Sequence, residues 1–228
     1  SFVDLKRRHG VFLLRFVPHE VAGALRESLP FFASRSAATA YQSLNAVLLG
    51  AFYPGQPSVG YFSAADKILN VAKSASSPVA DSLFPYMVNQ RNYRLCMRIL
   101  LVSAPLLLVA GCVVFAFAGE LCAFLFGEEY YETGTLLRCL LPALLVIFPT
   151  YVICFPVLVP MGLSKQANRS TMVGAGIQLV LLLFLFVFDQ FNAVSLCIAA
   201  SISEVSVFLY RFAVMVANRD LMAVSSDK

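Results

Sequence analysis

Residues 99–118, ILLVSAPLLLVAGCVVFAFA, run for 20 positions without a charged side chain. A helix of that length covers about 30 Å, the thickness of the hydrocarbon core of a bilayer. The stretch TMVGAGIQLVLLLFLFVF (171–188) repeats the signal. Composition extends it to the whole chain: 59% of the residues are hydrophobic, 20 are Phe and only 13% are charged. A soluble domain carries about 25% charged residues. No water-soluble core of this size could hide so much apolar surface. A soluble enzyme, a nucleic-acid-binding domain and a secreted disulfide scaffold are therefore excluded, and lipid is the solvent. At about 20 residues per span, the chain holds about six helices.

The predicted fold is all-α, a polytopic membrane bundle over 29–218 with spans near 31–52, 62–88, 99–118, 135–159, 170–188 and 193–216. A basic lead-in, 1–28, is broken at Gly10 and Pro18, and 219–228 form a tail. Charge sets the orientation. Lys6, Arg7, Arg8, Arg15, Arg26, Arg91, Arg94, Arg98, Lys165, Arg169, Arg219 and Lys228 fall on one side. The opposite loops, 53–61, 119–134 and 189–192, contain no Lys or Arg but hold Glu120, Glu128, Glu129, Glu132 and Asp189. The positive-inside rule then places both termini in the cytoplasm, provided that 62–88 spans. No cleavable signal is visible, and Ser1 reads as a trimmed start or as the opening of a piece of something longer. The six cysteines form no C-x-x-C pair and read as small hydrophobes rather than metal ligands or disulfides.

The second span carries Asp66, Lys67, Lys73 and Asp81, and hydropathy alone would miss it. On a helical wheel these four, with Asn70, Ser74 and Ser77, share an arc of about 120°. Insertion costs about 2.5–3.5 kcal/mol for each Asp, Lys or Arg near the bilayer centre, so the stripe must face a polar cavity or pair internally. Pairing could run along the helix, through Asp66–Lys73 and Lys73–Asp81, merely pinning the bundle. In the first span Arg35, Thr39 and Gln42 share a face at i, i+4, i+7. In the last, Glu204 is mid-span, while Arg211 is expected to snorkel to the interface. Pro142, Pro149 and Pro156, seven apart, predict a broken fourth span, as in helices that line transporter cavities. Gly174 and Gly176 predict close helix contact. His9 and His19 are the only histidines, both ahead of the first span, and no phosphate loop or Mg²⁺-binding carboxylate cluster is present. The chain therefore reads as a non-enzyme without a cofactor. The substrate-cavity candidates are Arg35, Gln42, Asp66, Lys67, Asn70, Lys73, Ser77, Asp81 and Glu204.

Several stretches resemble a known family. VGYFSAADKILNVAKSASSPVADSLFPYM (59–87), LCAFLFGEEYYETGTLLRCLLP (121–142), SLPFFASRSAATAYQSLNAVLLGAF (28–52), MGLSKQANRS (161–170) and AASISEVSV (199–207) are similar, in order, to segments of polysaccharide biosynthesis proteins, the Wzx-type oligosaccharide flippases. Their superfamily also holds the multidrug and toxic-compound extruders. The resemblance implies a twelve-helix, two-bundle transporter, of which this chain would be the second six-helix half and 1–28 the cytoplasmic linker. It implies translocation of polyprenyl-pyrophosphate-linked oligosaccharide across the bacterial plasma (inner) membrane. It also implies cationic cavity residues, here Arg35, Lys67, Lys73 and Arg138.

The partners expected are the lipid-linked oligosaccharide, membrane lipids, the first six-helix bundle and glycan polymerase or assembly proteins, with no nucleic acid. Two other readings stay open. One is an ion-coupled extruder of cationic molecules using Asp66, Asp81 and Glu204. The other is a non-transporting scaffold of a glycan assembly complex.

Overall fold

A computed structural model describes Leu25, Leu29, Phe32 and residues 45–90 and 93–219. It divides the chain into two compact units, Ser1–Ser36 and Ala37–Lys228. All the described elements longer than a single residue lie in the second unit, and among the described residues they are helical. A helical stretch over 45–52 is followed by α1 (Pro57–Gln90), α2 (Tyr93–Ala116) and α3 (Ala118–Phe126). A 3₁₀ turn (Glu128–Tyr130) leads to α4 (Thr133–Val152), which continues as a π-helical segment (Ile153–Leu158). Then come α5 (Ser164–Val187) and α6 (Ala193–Ala217).

Four helical runs among the described residues are long and apolar enough to cross a bilayer: Tyr93–Ala116, Thr133–Leu158, Ser164–Val187 and Ala193–Ala217. They coincide with four of the expected spans. The 34-residue α1 is not one of them, because it carries the four charges. Its length of about 51 Å nevertheless exceeds the hydrocarbon core. Apart from Phe32, the start of the expected first span, Arg35 and Gln42 included, lies outside the described residues.

The fourth span is not interrupted as expected: the helix runs on to Leu158 but changes to π-helical turns at Ile153, and the change has a local cause. Pro142 and Pro149 lie within α4, and Pro156 lies in the π segment. Proline lacks the N–H that an α-helix needs, and the ladder is re-formed there with wider turns. At the other helix ends the sequence acts more simply. Asn192 caps α6, its Oδ1 accepting from the Ser195 N–H at 2.9 Å. Gly127, at φ 106°, ends α3.

α4 is the central helix, packed against α1, α2, α3 and α6. In lipid there is no hydrophobic drive between helices, so close contact depends on small residues. A Cβ on Gly134 would lie 2.6 Å from the Gly119 backbone nitrogen, so α3 and α4 touch main chain to main chain. A Cβ on Gly174 would strike Val207 Cγ2, which joins α5 to α6, whereas Gly176 faces open space.

Two apolar clusters give the bundle a polarity. Leu49, Phe62, Phe191 and Leu196 pack in one. Met87, Tyr93, Leu158, Ala167 and Met215 pack in the other. Phe52 meets Phe191 in a tilted pair at 5.2 Å, and Tyr61 meets Tyr130 edge-on at 5.9 Å. The turns near 53–56, 127–132 and 188–192 therefore share one end, and the α1–α2 junction, the 159–163 turn and the close of α6 share the other. Glu120, Glu128, Glu129, Glu132 and Asp189 are exposed at the first end, and Arg94, Arg98, Lys165, Arg169 and Arg219 at the second. The charge asymmetry of the sequence is thus a property of the folded bundle.

Candidate functional site: a polar cleft at mid-depth

The buried face of α1 is formed by Phe62, Ala65, Leu69, Ser76 and Ala80. On the wheel Lys73 lies only about 40° from the centre of that face, Asp66 about 60° and Lys67 about 160°. The stripe therefore straddles the margin of the packed surface. Its inner members meet neighbouring helices, and its outer members do not.

Lys73 is the innermost, and its Nζ lies 2.6 Å from Glu204 Oε1 on α6. The two side chains are only 12% and 16% exposed. Both are close to the midpoints of their helices, so the pair sits at mid-depth. Beside it, Asn70 Nδ2 donates to Asp66 Oδ2 at 2.8 Å, and Lys73 also acts electrostatically on Asp66.

In the same lining, Gln178 on α5 is 1% exposed and engaged at both ends of its amide. Its Nε2 donates to Asn45 Oδ1 at 2.9 Å, and its Oε1 accepts from Ser203 Oγ at 2.7 Å. One amide thus ties the 45–52 helix to α5 and α6. A buried amide that left either end unmet would cost about 1–3 kcal/mol, so the network sets the register of three helices.

These residues line a small cleft open on one side, with Asp66, Asn70, Lys73 and Glu204 on its wall and Leu69 and Ala200 as its apolar patches. The wall offers a cation held by a carboxylate, a second carboxylate and several amide and hydroxyl groups. Such a surface can hydrogen-bond hydroxyl-rich groups, and an anion could compete with Glu204 for Lys73. Among the described residues no group of His, Cys, Asp and Glu could hold a metal ion.

Of the nine residues expected at the cavity, the structure brings four together: Asp66, Asn70, Lys73 and Glu204. Lys67 is exposed and away from the cleft. Ser77 donates to Asp81 at 3.2 Å, a local contact on the exposed side of α1, with Asp81 about 12 Å further along the helix than Lys73. Arg35 and Gln42 lie outside the described residues. Arg138 is also elsewhere: its Nε donates to the Phe115 carbonyl at 3.0 Å, and its guanidinium sits 5.7 Å from the centre of the Phe115 ring.

Arg211 does not snorkel. It is 8% exposed, its Nε donating to Ser170 Oγ at 2.8 Å, Nη1 to the Thr150 carbonyl at 3.2 Å and Nη2 to Thr171 Oγ1 at 3.1 Å. It joins α5 and α6 to the turn of α4 just before the π segment.

Asn45, Gln178 and Ser203 lie outside the expected set. Gln178 did carry a signal, since it is the sole amide in the 170–188 span. A lone amide in an apolar helix is costly unless a neighbouring helix meets it.

The folded chain is thus an all-helical, multi-pass membrane protein with a charged polar cleft among its helices. Residues 6–90 match the family described as polysaccharide biosynthesis protein. The chain is also 28% identical over 193 residues to the "Putative O-antigen transporter" of Shigella dysenteriae, an alignment that covers 82% of this chain and 47% of that protein. The chain spans about half the length of the curated relative it matches. No solved structure matches it. The resemblance carried by the motifs is borne out as a similarity: the chain resembles the polysaccharide biosynthesis proteins over 6–90 and this transporter over most of its own length.

Proposed function

We propose that this chain is one half of a flippase that moves polyprenyl-pyrophosphate-linked oligosaccharide across the bacterial plasma membrane for surface polysaccharide synthesis. The observation that carries the reading is the Lys73–Glu204 pair at mid-depth, in a cleft whose other polar groups are amides, hydroxyls and Asp66. A pyrophosphate crossing about 30 Å of hydrocarbon loses its water and needs a cation part-way. Lys73 supplies one, and Glu204 keeps it neutralised when no substrate is present. The amides and carboxylates suit sugar hydroxyls, while the polyprenyl tail stays in lipid.

The remaining members of the stripe, Lys67, Ser77 and Asp81, lie outside the cleft and are offered to a second six-helix bundle across a shared cavity. Transport proceeds by rocking of the two bundles, without covalent chemistry. The basic end of the bundle lies in the cytoplasm with both termini, in keeping with the positive-inside rule. The ion-coupled extruder is disfavoured by one contact. The Glu204 carboxylate that a cation would need is already held by Lys73.

The test uses the complete transporter in a flippase-deficient strain. Lys73→Ala should sharply lower surface glycan while leaving the protein in the membrane at its normal level, and residues 1–228 alone should not restore export. Normal export by Lys73→Ala, together with loss in Asp81→Asn, would favour the extruder. Normal export after the whole stripe is neutralised would favour a scaffold.

A further inference from the structure

The segment after α2 takes no part in the cleft. Arg98 is exposed near the start of α2, and the uncharged run that follows it uses up the thickness of the hydrocarbon core by Ala118. α3 therefore begins at the far boundary of the core, at the end of the bundle that carries the acidic residues. Nine residues, about 13 Å of helix, cannot cross a membrane.

Yet α3 is not a polar loop. One face, Ala118, Gly119 and Cys122, is buried, with Cys122 against Leu137. A second face is apolar and bare. Phe117 is 58%, Leu125 52% and Phe124 86% exposed, the last being the highest value of any large hydrophobic residue described. With Leu121 these side chains fill an arc of about 100°, and Glu120 stands at its edge beside Phe124. After Gly127, exposed Glu128 and Glu129 follow, and Tyr130 is held against Tyr61 at the start of α1.

The bare face continues a surface that is already lipid-facing, since Leu101, Val102, Leu106, Val109 and Val113 of α2 are all more than half exposed. We propose that α3 is an interfacial helix. Its Phe117, Phe124 and Leu125 lie at the acyl-chain boundary of the leaflet at the acidic end, and Glu120, Glu128 and Glu129 lie among the head groups. The partner is a lipid surface held by apolar burial and not by charge, because 119–134 contain no Lys or Arg to attract anionic lipid. Aromatic rings at this depth occupy the position that suits them in membrane proteins generally. Through the Tyr130–Tyr61 contact, the helix ties the start of α1 to the membrane surface.

The chain contains no Trp, so Phe124→Trp creates a single fluorescent reporter. The full chain is reconstituted in phosphatidylcholine vesicles containing lipids brominated either near the head group or deep in the acyl chain. The expected result is blue-shifted emission, with the greatest loss of fluorescence from the shallow bromines and no change when anionic lipid or salt is added. A companion Glu129→Trp should instead be quenched by aqueous acrylamide. Quenching of Phe124→Trp by acrylamide but not by bromolipid would place the helix in water. A maximum with deep bromines would place it inside the core. Protection from both quenchers would mean that a protein partner or second copy covers it. Each of these three outcomes overturns the proposal. Leu125→Trp serves as a second reporter if Phe124→Trp fails to fold.

Discussion

Replacing Lys73 by Met keeps most of its length and removes its charge. Glu204 is then left with no cation at 2.6 Å while only 16% exposed, and Asp66 loses the same nearby charge. Breaking a buried pair by removing one partner costs about 3–5 kcal/mol, and a lone charge at mid-membrane about 2.5–3.5 kcal/mol. The cleft is open on one side, so the lower end applies: about 2–3 kcal/mol for Lys73→Met. Glu204→Gln should cost less, about 1–2 kcal/mol, because Lys73 still has Asp66 beside it. The double variant leaves no broken pair at this position and should lose less than the sum of the singles, with a coupling of about 1–2 kcal/mol. The assay is reversible unfolding of the four proteins in mild detergent by titrated SDS, followed by circular dichroism. Additivity of the singles to within about 0.5 kcal/mol would refute the argument that the two charges depend on each other.

Three further outcomes follow from other contacts. Gly174→Ala should destabilise by about 1–3 kcal/mol through its clash with Val207, Val207→Ala should relieve much of that loss, and Gly176→Ala should be close to neutral, all read from the same unfolding titration. Arg211→Met should cost at least about 2 kcal/mol, and Arg211→Lys should not recover it, because an ammonium cannot reach Ser170, Thr171 and the Thr150 carbonyl together; thermal unfolding of the three proteins checks the order. In a cysteine-free background, Glu129→Cys should react with an impermeant maleimide added to intact cells and Lys165→Cys should not, and the reverse pattern would invert the proposed orientation.

The resemblance and the gross architecture were legible in the chain because they rest on properties that add up along it. The run 99–118 is apolar whatever it packs against, and the basic and acidic loops alternate however the helices are arranged. The three-proline spacing pointed to an irregularity in the fourth span for the same reason, since a missing N–H is a local fact, but the irregularity is a π segment in a continuous helix and not a break. The charged arc of α1 was equally legible, since a helical wheel needs only the helix.

The choice of partners could not be read in this way. Asp66 and Asp81, seven and eight residues from Lys73, were the visible candidates. At about 1.5 Å per residue their backbones stand about 10–12 Å away along the axis, and the contact at 2.6 Å goes to Glu204 instead. Glu204 takes Lys73 because α1 and α6 pack with the margin of the buried α1 face turned toward the middle of α6. That register is set in part by Gln178, whose amide needs Asn45 and Ser203 from two other helices. Arg211 illustrates the same division. Its place near the end of a span suggested the interface, but the turn of α4 ahead of Pro156 brings a carbonyl within reach of its guanidinium, and Ser170 and Thr171 complete the set. Sequence alone determined which segments are apolar enough to cross a membrane and which helix faces are polar. Tertiary structure decided which polar groups meet, because helix-to-helix register and rotation depend on contacts between residues far apart in the chain.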